Sequence, residues 1–188
     1  GDDVVLLAVG APGPPSLPFV DAWRVGGDIA VEPLDVSYPF IPNQLRSVAA
    51  RWPLCRATLC DADPVVLRTL APHHVAMSAW TVAAAGGALF LSDDLRALPA
   101  ERYALGLDGG VVPLALSGLP AVPQDLFPVD PPATLTSALT DHLGGGHRQF
   151  VPTQWRLQDG RTLWVNSLGE SVEIGGAVVP AESVRISD

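Results

Sequence analysis

The chain has 188 residues, of which 48% are hydrophobic and only 16% are charged, so it is neither a disordered segment nor too short for a buried core. Its net charge is -9, its 11 basic residues are all arginines, and these arginines are scattered along the chain, which argues against a nucleic-acid partner. The apolar runs have the length of strands and are broken by Gly, Pro or Asp, so no membrane span is predicted.

The first 108 residues alternate short apolar strands with helical segments. Strands are predicted at residues 4–10, 18–23, 63–68 (or the segment just before) and 88–92. Helices are predicted to begin at Pro42, Pro72 and Pro99, because proline is favoured in the first helical turn. Pro53 should stop the first helix, and two glycines, Gly86 and Gly87, should end the second. This alternation predicts a parallel α/β sheet over residues 1–108.

After residue 108 the pattern changes, since Pro, Gly, Ser and Thr become frequent and no long helical pattern is present. Short strands are predicted in "QFVPTQWRL", "RTLWVNSL", "ESVEI" and "AESVRI", separated by turns such as "QDGR". Residues 109–188 are therefore predicted to form a small antiparallel β domain. The glycine-rich stretch from Gly144 to His147 is predicted to be a loop without the context of a phosphate site.

The two cysteines, Cys55 and Cys60, are close in sequence. On one extended segment they would lie roughly 16 Å apart, too far for a disulfide, so two buried thiols are predicted. A zinc site with His73 and His74 is disfavoured because the cysteine spacing is loose and the histidines are adjacent. No metal and no cofactor are predicted.

Acidic residues follow the predicted strands. Asp28 follows the second strand, Asp61 and Asp63 lie at the third, and Asp93 and Asp94 follow the fourth. The carboxyl ends of parallel strands carry the chemistry of α/β sheets and barrels. Carboxylates on one rim suit acid–base work on glycosidic bonds, metal binding or helix capping, and for Asp93 and Asp94 capping is the favoured interpretation.

Four stretches resemble the α-galactosidase (melibiase) clan of retaining glycoside hydrolases. "LLAVGAPGPPSLPFVDAWRVGGDIA" resembles the clan's strand and small-residue turn leading to Arg-x-x-x-Asp, here Arg24 and Asp28. "LCDADPVVLR" is similar to its Asn-Asp-Pro-Asp strand, and "AAAGGALFLSDDLRALPAER" to its final barrel strand and helix. "AVPQDLFPVDPP" resembles the entry to its C-terminal β domain.

The resemblance implies a fold and a set of site residues. The chain would be the last four strands of a (β/α)8 barrel followed by a β-sandwich. Asp28 would be the acid/base that acts on α-linked sugars such as an α-galactoside, and Arg24 would help to bind the sugar. Asp63, or alternatively Asp61, would be the acidic residue near the pocket. Trp23 could offer an apolar face to a sugar, although core packing is its favoured role.

The chain also departs from the clan's pattern. The clan's nucleophile is an aspartate after the fourth barrel strand, commonly in Lys-x-Asp, but this chain has no lysine and no strand before residue 4. Val9 replaces a cysteine that is common in the small-residue turn. Since Gly1 is not an initiator methionine, we expect a C-terminal portion of a longer hydrolase that is nearly inactive alone. Such a half barrel should fold with its missing N-terminal half, self-associate or repack.

Two alternatives to an enzyme remain open: a non-catalytic carbohydrate-binding or structural module, and a degenerate hydrolase. In a module, Trp155 and Trp164 could stack on sugar rings, but core packing is favoured for both. In an enzyme, a direct bidentate pair between Arg24 and Asp28 would oppose protonation of the acid. Arg24 is therefore expected to point at substrate or at another carboxylate.

Overall fold

A computed structural model describes residues 5–9, 15–29, 40–126 and 152–187. Its first sheet has three strands, β1 (Leu7–Val9), β2 (Ala22–Arg24) and β3 (Leu59–Asp61), in the order β1-β2-β3. All pairs in this sheet are parallel, which confirms the predicted parallel α/β arrangement. The register places Arg24, the last residue of β2, opposite Asp61, the last residue of β3.

The third strand lies just before the segment 63–68, at Leu59–Asp61. It ends there because Asp63 adopts a left-handed backbone conformation with φ 74°, which cannot continue a strand.

A fourth strand at 88–92 was predicted wrongly: only one parallel bridge, between Val65 and Leu91, forms there. The side chain of Asp93 accepts hydrogen bonds from the backbone N–H groups of Leu67 (2.7 Å) and Arg68 (3.2 Å). These contacts use amide donors that a continuing strand could have offered to a neighbour.

The described ranges contain four α-helices: α1 (Phe40–Cys55), which lies between β2 and β3, and α2 (Pro72–Ala85), α3 (Ala100–Leu107) and α4 (Val111–Ala115), which follow β3. Helix α2 begins at Pro72 as predicted and ends at Gly86, whose left-handed conformation supports an N–H bond to the carbonyl of Val82. The prediction that Pro53 stops the first helix was wrong by two residues, because proline is accommodated inside the last turn of α1. No helix in the described ranges is long and apolar enough to cross a membrane.

Helix α2 lies at the centre of the hydrophobic core. Every residue from Met77 to Ala85 is buried, the pattern of a helix that is covered on all sides. It packs against α1, α3, α4 and the last β-strand, so one continuous core joins the helical region to the β region.

The remaining strands form antiparallel sheets, as predicted. A four-stranded sheet has the order β4 (Val122–Pro123), β5 (Gln154–Arg156), β6 (Thr162–Asn166) and β9 (Ser183–Ile186). A two-stranded sheet pairs β7 (Val172–Ile174) with β8 (Ala177–Val179). The boundary between 1–108 and 109–188 stays a prediction, and the predicted loop from Gly144 to His147 lies outside the described residues.

Cys55 and Cys60 form a disulfide, so the prediction of two free thiols was wrong. That prediction assumed one extended segment. Instead, Cys55 ends α1, the chain turns at residues 56–58, and Cys60 lies in β3. The reversal brings the two Cα atoms to 5.2 Å, within the normal range for a disulfide.

Trp155 and Trp164 lie on neighbouring strands but differ in burial. Trp155 is fully buried in the core, and its Nε1 donates to the carbonyl of Pro152 at 3.2 Å. Trp164 faces Gln154 across the strand pair and is half-buried. The predicted core role is thus confirmed for Trp155, whereas Trp164 keeps part of its surface in contact with solvent.

We expect Trp155→Ala to lower the free energy of unfolding by about 3–5 kcal/mol, because it removes a large buried side chain and leaves a cavity. Trp164→Ala is the matched control and should cost less than half as much, since its ring is only half-buried. Urea unfolding followed by circular dichroism measures both variants. An equal or larger loss for Trp164→Ala would contradict this description of the core.

Candidate functional site

Arg24 joins three aspartates at the carboxyl end of the parallel sheet. Because β2 and β3 end side by side, Arg24 Nε lies 2.6 Å from Asp61 Oδ2. Its Nη1 lies 2.5 Å from Asp63 Oδ1 and 3.2 Å from Asp28 Oδ1. We call these four residues the Arg24 cluster. The sequence placed all four at strand ends, and the fold brings them into contact.

The three carboxylates differ in exposure. The side chains of Asp61 and Asp63 are 1% and 6% exposed, whereas that of Asp28 is 68% exposed. Arg24 makes its shortest contacts with the two buried carboxylates and only one longer contact with Asp28. The expectation that Arg24 points at another acid, rather than forming a bidentate pair with Asp28, is confirmed.

Asp63 holds the loop that carries Asp28. Its Oδ2 accepts from the backbone N–H of Ile29 at 2.7 Å, in a buried position. Its own backbone N–H donates to Asp61 Oδ1 at 2.8 Å. Asp63 has a left-handed backbone conformation, which aspartate tolerates better than most residues. In this conformation its side chain reaches the loop that follows β2. The position of Asp28 is therefore fixed through its neighbour Ile29.

Burial and charge shift two pKa values in the Arg24 cluster. Burial lowers the pKa of Arg24, but the hydrogen bond to Asp61 and the charges of the three carboxylates outweigh it, so the net shift is upward. Burial raises the pKa of Asp63, and the charges of Asp28 and Asp61 add to this effect. The bond from Ile29 and the charge of Arg24 act in the opposite direction but do not cancel it. One guanidinium is thus shared among three carboxylates, and among these carboxylates the raised pKa belongs to buried Asp63.

The glycines before Asp28 have different roles. A Cβ on Gly26 would overlap the side-chain amide of Gln44, which α1 buries against this loop. A Cβ on Gly27 would meet no atom within 4 Å, and the carbonyl of Gly27 accepts a hydrogen bond from Gln44 Nε2. Gly26 is thus required by helix packing, and only Gly27 leaves open space beside Asp28. Sequence reasoning missed Gln44, because nothing in the order of residues links it to this loop.

The other predicted residues lie in different surroundings. Trp23 is 3% exposed and belongs to the core, so its ring faces are covered in this structure. The side chain of Asp94 accepts from the N–H of Arg96 and caps a short 3-10 helix, Leu95–Ala97, as predicted. Asp93 binds the backbone of Leu67 and Arg68 instead, so it holds two loops together rather than capping a helix.

A second group of functional side chains lies outside the Arg24 cluster. His73, His74 and Glu182 have potential metal-ligating atoms within 4.8 Å of one another. Burial lowers the pKa of His74, although the hydrogen bond to Glu182 acts in the opposite direction. The sequence analysis disfavoured a metal role for the two histidines and did not point to Glu182, which is more than 100 positions away.

A pocket of about 310 Å³, at the lower end of the size range of ligand pockets, lies along α1. It is lined by Arg46, Ala49, Ala50, Trp52, Pro53, Leu126 and Pro152. It includes no member of the Arg24 cluster and does not mark the predicted site.

Comparison with known proteins shows the fold but not the family. No protein-family model matches the chain, and no curated protein matches it. Among solved structures it is similar to alpha-galactosidase I from Mortierella vinacea, with a TM-score of 0.56 and 12% sequence identity. The match covers 91% of this chain and 53% of that protein, so this chain spans about half of its length. The fold is therefore like that of a glycoside hydrolase.

We expect Gly26→Ala to lower the free energy of unfolding by about 1–3 kcal/mol, because the new methyl group would displace buried Gln44 from its bond to Gly27. Gly27→Ala is the matched control and should change stability by less than about 0.5 kcal/mol, since space is open there. Urea unfolding of both variants decides the point. Equal effects would show that Gln44 does not constrain this loop.

The raised pKa of Asp63 predicts a pH-dependent stability difference between the wild type and Asp63→Asn. The folded protein holds the Asp63 proton more tightly than the unfolded chain, whose pKa is about 3.9. Wild-type stability should therefore fall, relative to Asp63→Asn, as the pH rises from below about 3.9 through the raised folded value. Asparagine also tolerates the left-handed backbone at this position.

Urea unfolding of both proteins between about pH 3 and pH 7 measures this difference. The control is Asp94→Asn, because the bonds from Arg96 lower the pKa of exposed Asp94, and the sign should reverse. A wild type that gains stability over Asp63→Asn with rising pH would contradict the prediction.

Proposed function

We propose that this chain is the C-terminal portion of an α-galactosidase-like retaining glycoside hydrolase that acts on α-linked sugars. Asp28 supplies the acid/base, and the nucleophile belongs to a segment outside this chain. The observation that carries the proposal is the Arg24 cluster, which fixes one exposed carboxylate above two buried ones at the carboxyl end of a parallel sheet. The glycoside-hydrolase-like fold supports it.

Asp28 has the accessibility that an acid/base needs. A retaining hydrolase uses two carboxyl groups about 5 Å apart, one as nucleophile and one to protonate the leaving oxygen and then activate water. Asp61 and Asp63 are buried and committed to Arg24 and to backbone N–H groups. Asp28 is exposed and is held by a single contact. It is the member of the cluster that can reach a glycosidic oxygen.

In this proposal Arg24 binds sugar, and Asp61 and Asp63 position the acid/base. The described contacts of Arg24 with the three carboxylates use Nε and Nη1, and we propose that Nη2 donates to a sugar hydroxyl. Asp63 orients the loop at Ile29, and Asp61 neutralises part of the guanidinium charge.

The open edge of β1 is where the rest of the barrel would join. Among the described residues, β1 pairs only with β2. On and beside β1, Val5 and Val9 are each more than 70% exposed, which is unusual for apolar side chains beside a sheet. We propose that the missing N-terminal half of the same polypeptide covers this edge, with self-association of the chain as the alternative.

The second candidate function is a non-catalytic carbohydrate-binding or structural module with a degenerate hydrolase fold. The observation that favours it is Trp164, a residue on the β-sheet that is only partly buried. A partly open aromatic face can stack on a sugar ring. In this case the Arg24 cluster would only stabilise the sheet.

Hydrolysis of a nitrophenyl α-galactoside by the complete protein encoded with this chain tests the enzyme proposal. Asp28→Asn should lower kcat by about 100- to 10,000-fold, since it removes the proton donor. The matched control, Asp94→Asn, changes an exposed aspartate that also contacts an arginine and should keep full activity. The released sugar should retain its anomeric configuration. Full activity in Asp28→Asn, or inversion, would overturn the proposal.

Binding of methyl α-galactoside to the isolated chain separates the two candidate functions. A hydrolase portion should show no turnover, and in NMR titrations the amide of Ile29 should respond to the sugar. A module should lose sugar binding in Trp164→Ala, with folding intact, and keep it in Asp28→Asn. The amide signals thus report which surface meets the sugar.

A further inference from the structure

Three metal-ligating side chains meet where the helical region contacts the β region. His73 and His74 lie in the first turn of α2, and Glu182 lies in the turn between β8 and β9. We propose that His73, His74 and Glu182 bind one divalent late transition-metal ion, such as Zn²⁺. This inference does not depend on the glycosidase proposal, because none of the three residues belongs to the Arg24 cluster.

The distances suit a single ion. Two ligand atoms bound to tetrahedral zinc at 2.0–2.2 Å lie about 3.3 Å apart. His74 Nε2 and Glu182 Oε2 are 3.1 Å apart, which is close to this spacing. The ligand atoms of all three residues lie within 4.8 Å of one another. His73 is exposed, so a side-chain rotation can bring its imidazole the remaining distance without disturbing the core.

The turn that carries Glu182 is already ordered by its own hydrogen bonds. The backbone N–H of Glu182 donates to the carbonyl of Leu168 at 2.9 Å. The buried side chain of Asn166 donates to the carbonyls of Val179 (3.1 Å) and Pro180 (2.8 Å). Glu182 itself has a φ of 49°, which is uncommon for a residue with a side chain. The carboxylate is thus presented to His74 by a turn that needs little reorganisation on binding.

The donor set selects the class of metal. Two imidazole nitrogens and one carboxylate oxygen suit Zn²⁺ and its neighbours in the late first transition series. Mg²⁺ and Ca²⁺ prefer oxygen ligands only. The cysteines do not compete for this role, because Cys55 and Cys60 are bonded to each other. Three protein ligands would leave a fourth position for water.

The ordinary alternative to a metal site is a structural contact. In that case the hydrogen bond between His74 and Glu182 only joins α2 to the β8–β9 turn. Substitution of His73 distinguishes a metal site from a structural contact, because the His73 side chain takes no part in the hydrogen bond between His74 and Glu182. Metal binding needs His73 as a ligand, whereas a structural tie between the two elements does not.

Zinc titration of the purified chain against a chromophoric chelator tests the proposal. All samples should carry His142→Ala and His147→Ala, which removes the two histidines outside the described residues as other ligands. This background protein should bind one Zn²⁺ per chain, and Zn²⁺ should raise its melting temperature. Mg²⁺ should neither bind in this titration nor raise the melting temperature.

His73→Ala in that background should weaken zinc affinity at least about tenfold, with an unchanged melting temperature in the absence of metal because His73 is exposed. Glu182→Gln keeps a hydrogen-bond acceptor for His74 but is a poor metal ligand, so it should weaken zinc binding similarly. Loss of one-to-one binding in the background protein would overturn the proposal, and so would undiminished affinity in His73→Ala.

Discussion

The organisation of the candidate site depends on how the buried charge of Arg24 is paired. Its guanidinium lies at the end of a sheet strand and is mostly withdrawn from water, so the fold must supply acceptors there. Asp61 and Asp63 do so from the neighbouring strand and its loop. Removing one partner of such a buried pair typically costs about 3–5 kcal/mol, because the other charge is left unpaired. The pairing of Arg24 with Asp61 and Asp63 thus depends at once on the register of β2 against β3 and on the conformation of the loops that follow them.

The same pairing explains why the loop after β2 has a defined shape. Asp63 binds Arg24 with one oxygen and the N–H of Ile29 with the other. From the opposite side, Gln44 on α1 binds the carbonyl of Gly27. Asp28 lies between these two anchored points and keeps its side chain in solvent. The Asp28 carboxylate is thus exposed on a loop whose backbone is held on both sides of it.

Helix α2 connects this site to the rest of the molecule. It is buried along most of its length and packs against helices α1, α3 and α4 and against strand β9. Its first turn also presents His73 and His74 towards Glu182 of the β region. The continuity of the core through α2 means that the β region supports the sheet that carries the Arg24 cluster. A metal at the histidine pair would strengthen that junction without touching the cluster.

The sequence by itself determined the main periodic elements and the candidate carboxylates. The start of α2 at Pro72, its end at Gly86, the parallel α/β arrangement and the placement of Asp28, Asp61 and Asp63 at strand ends followed from local patterns, whereas Arg24 was identified by a family resemblance. These features depend on residues near each other in the chain, where proline, glycine and apolar spacing act directly.

Only the tertiary structure decided which distant groups meet. The chain reverses after α1, so Cys55 and Cys60 form a disulfide instead of the two predicted thiols. Asp93 accepts a backbone hydrogen bond from Leu67 where a fourth strand was predicted to pair. The side chain of Gln44 occupies the space that a Cβ at position 26 would need. Glu182 contacts His74 although the two residues are more than 100 positions apart. Each outcome depends on through-space contacts between segments far apart or reversed in direction. Local sequence patterns do not encode such contacts, because they arise only when the whole core packs.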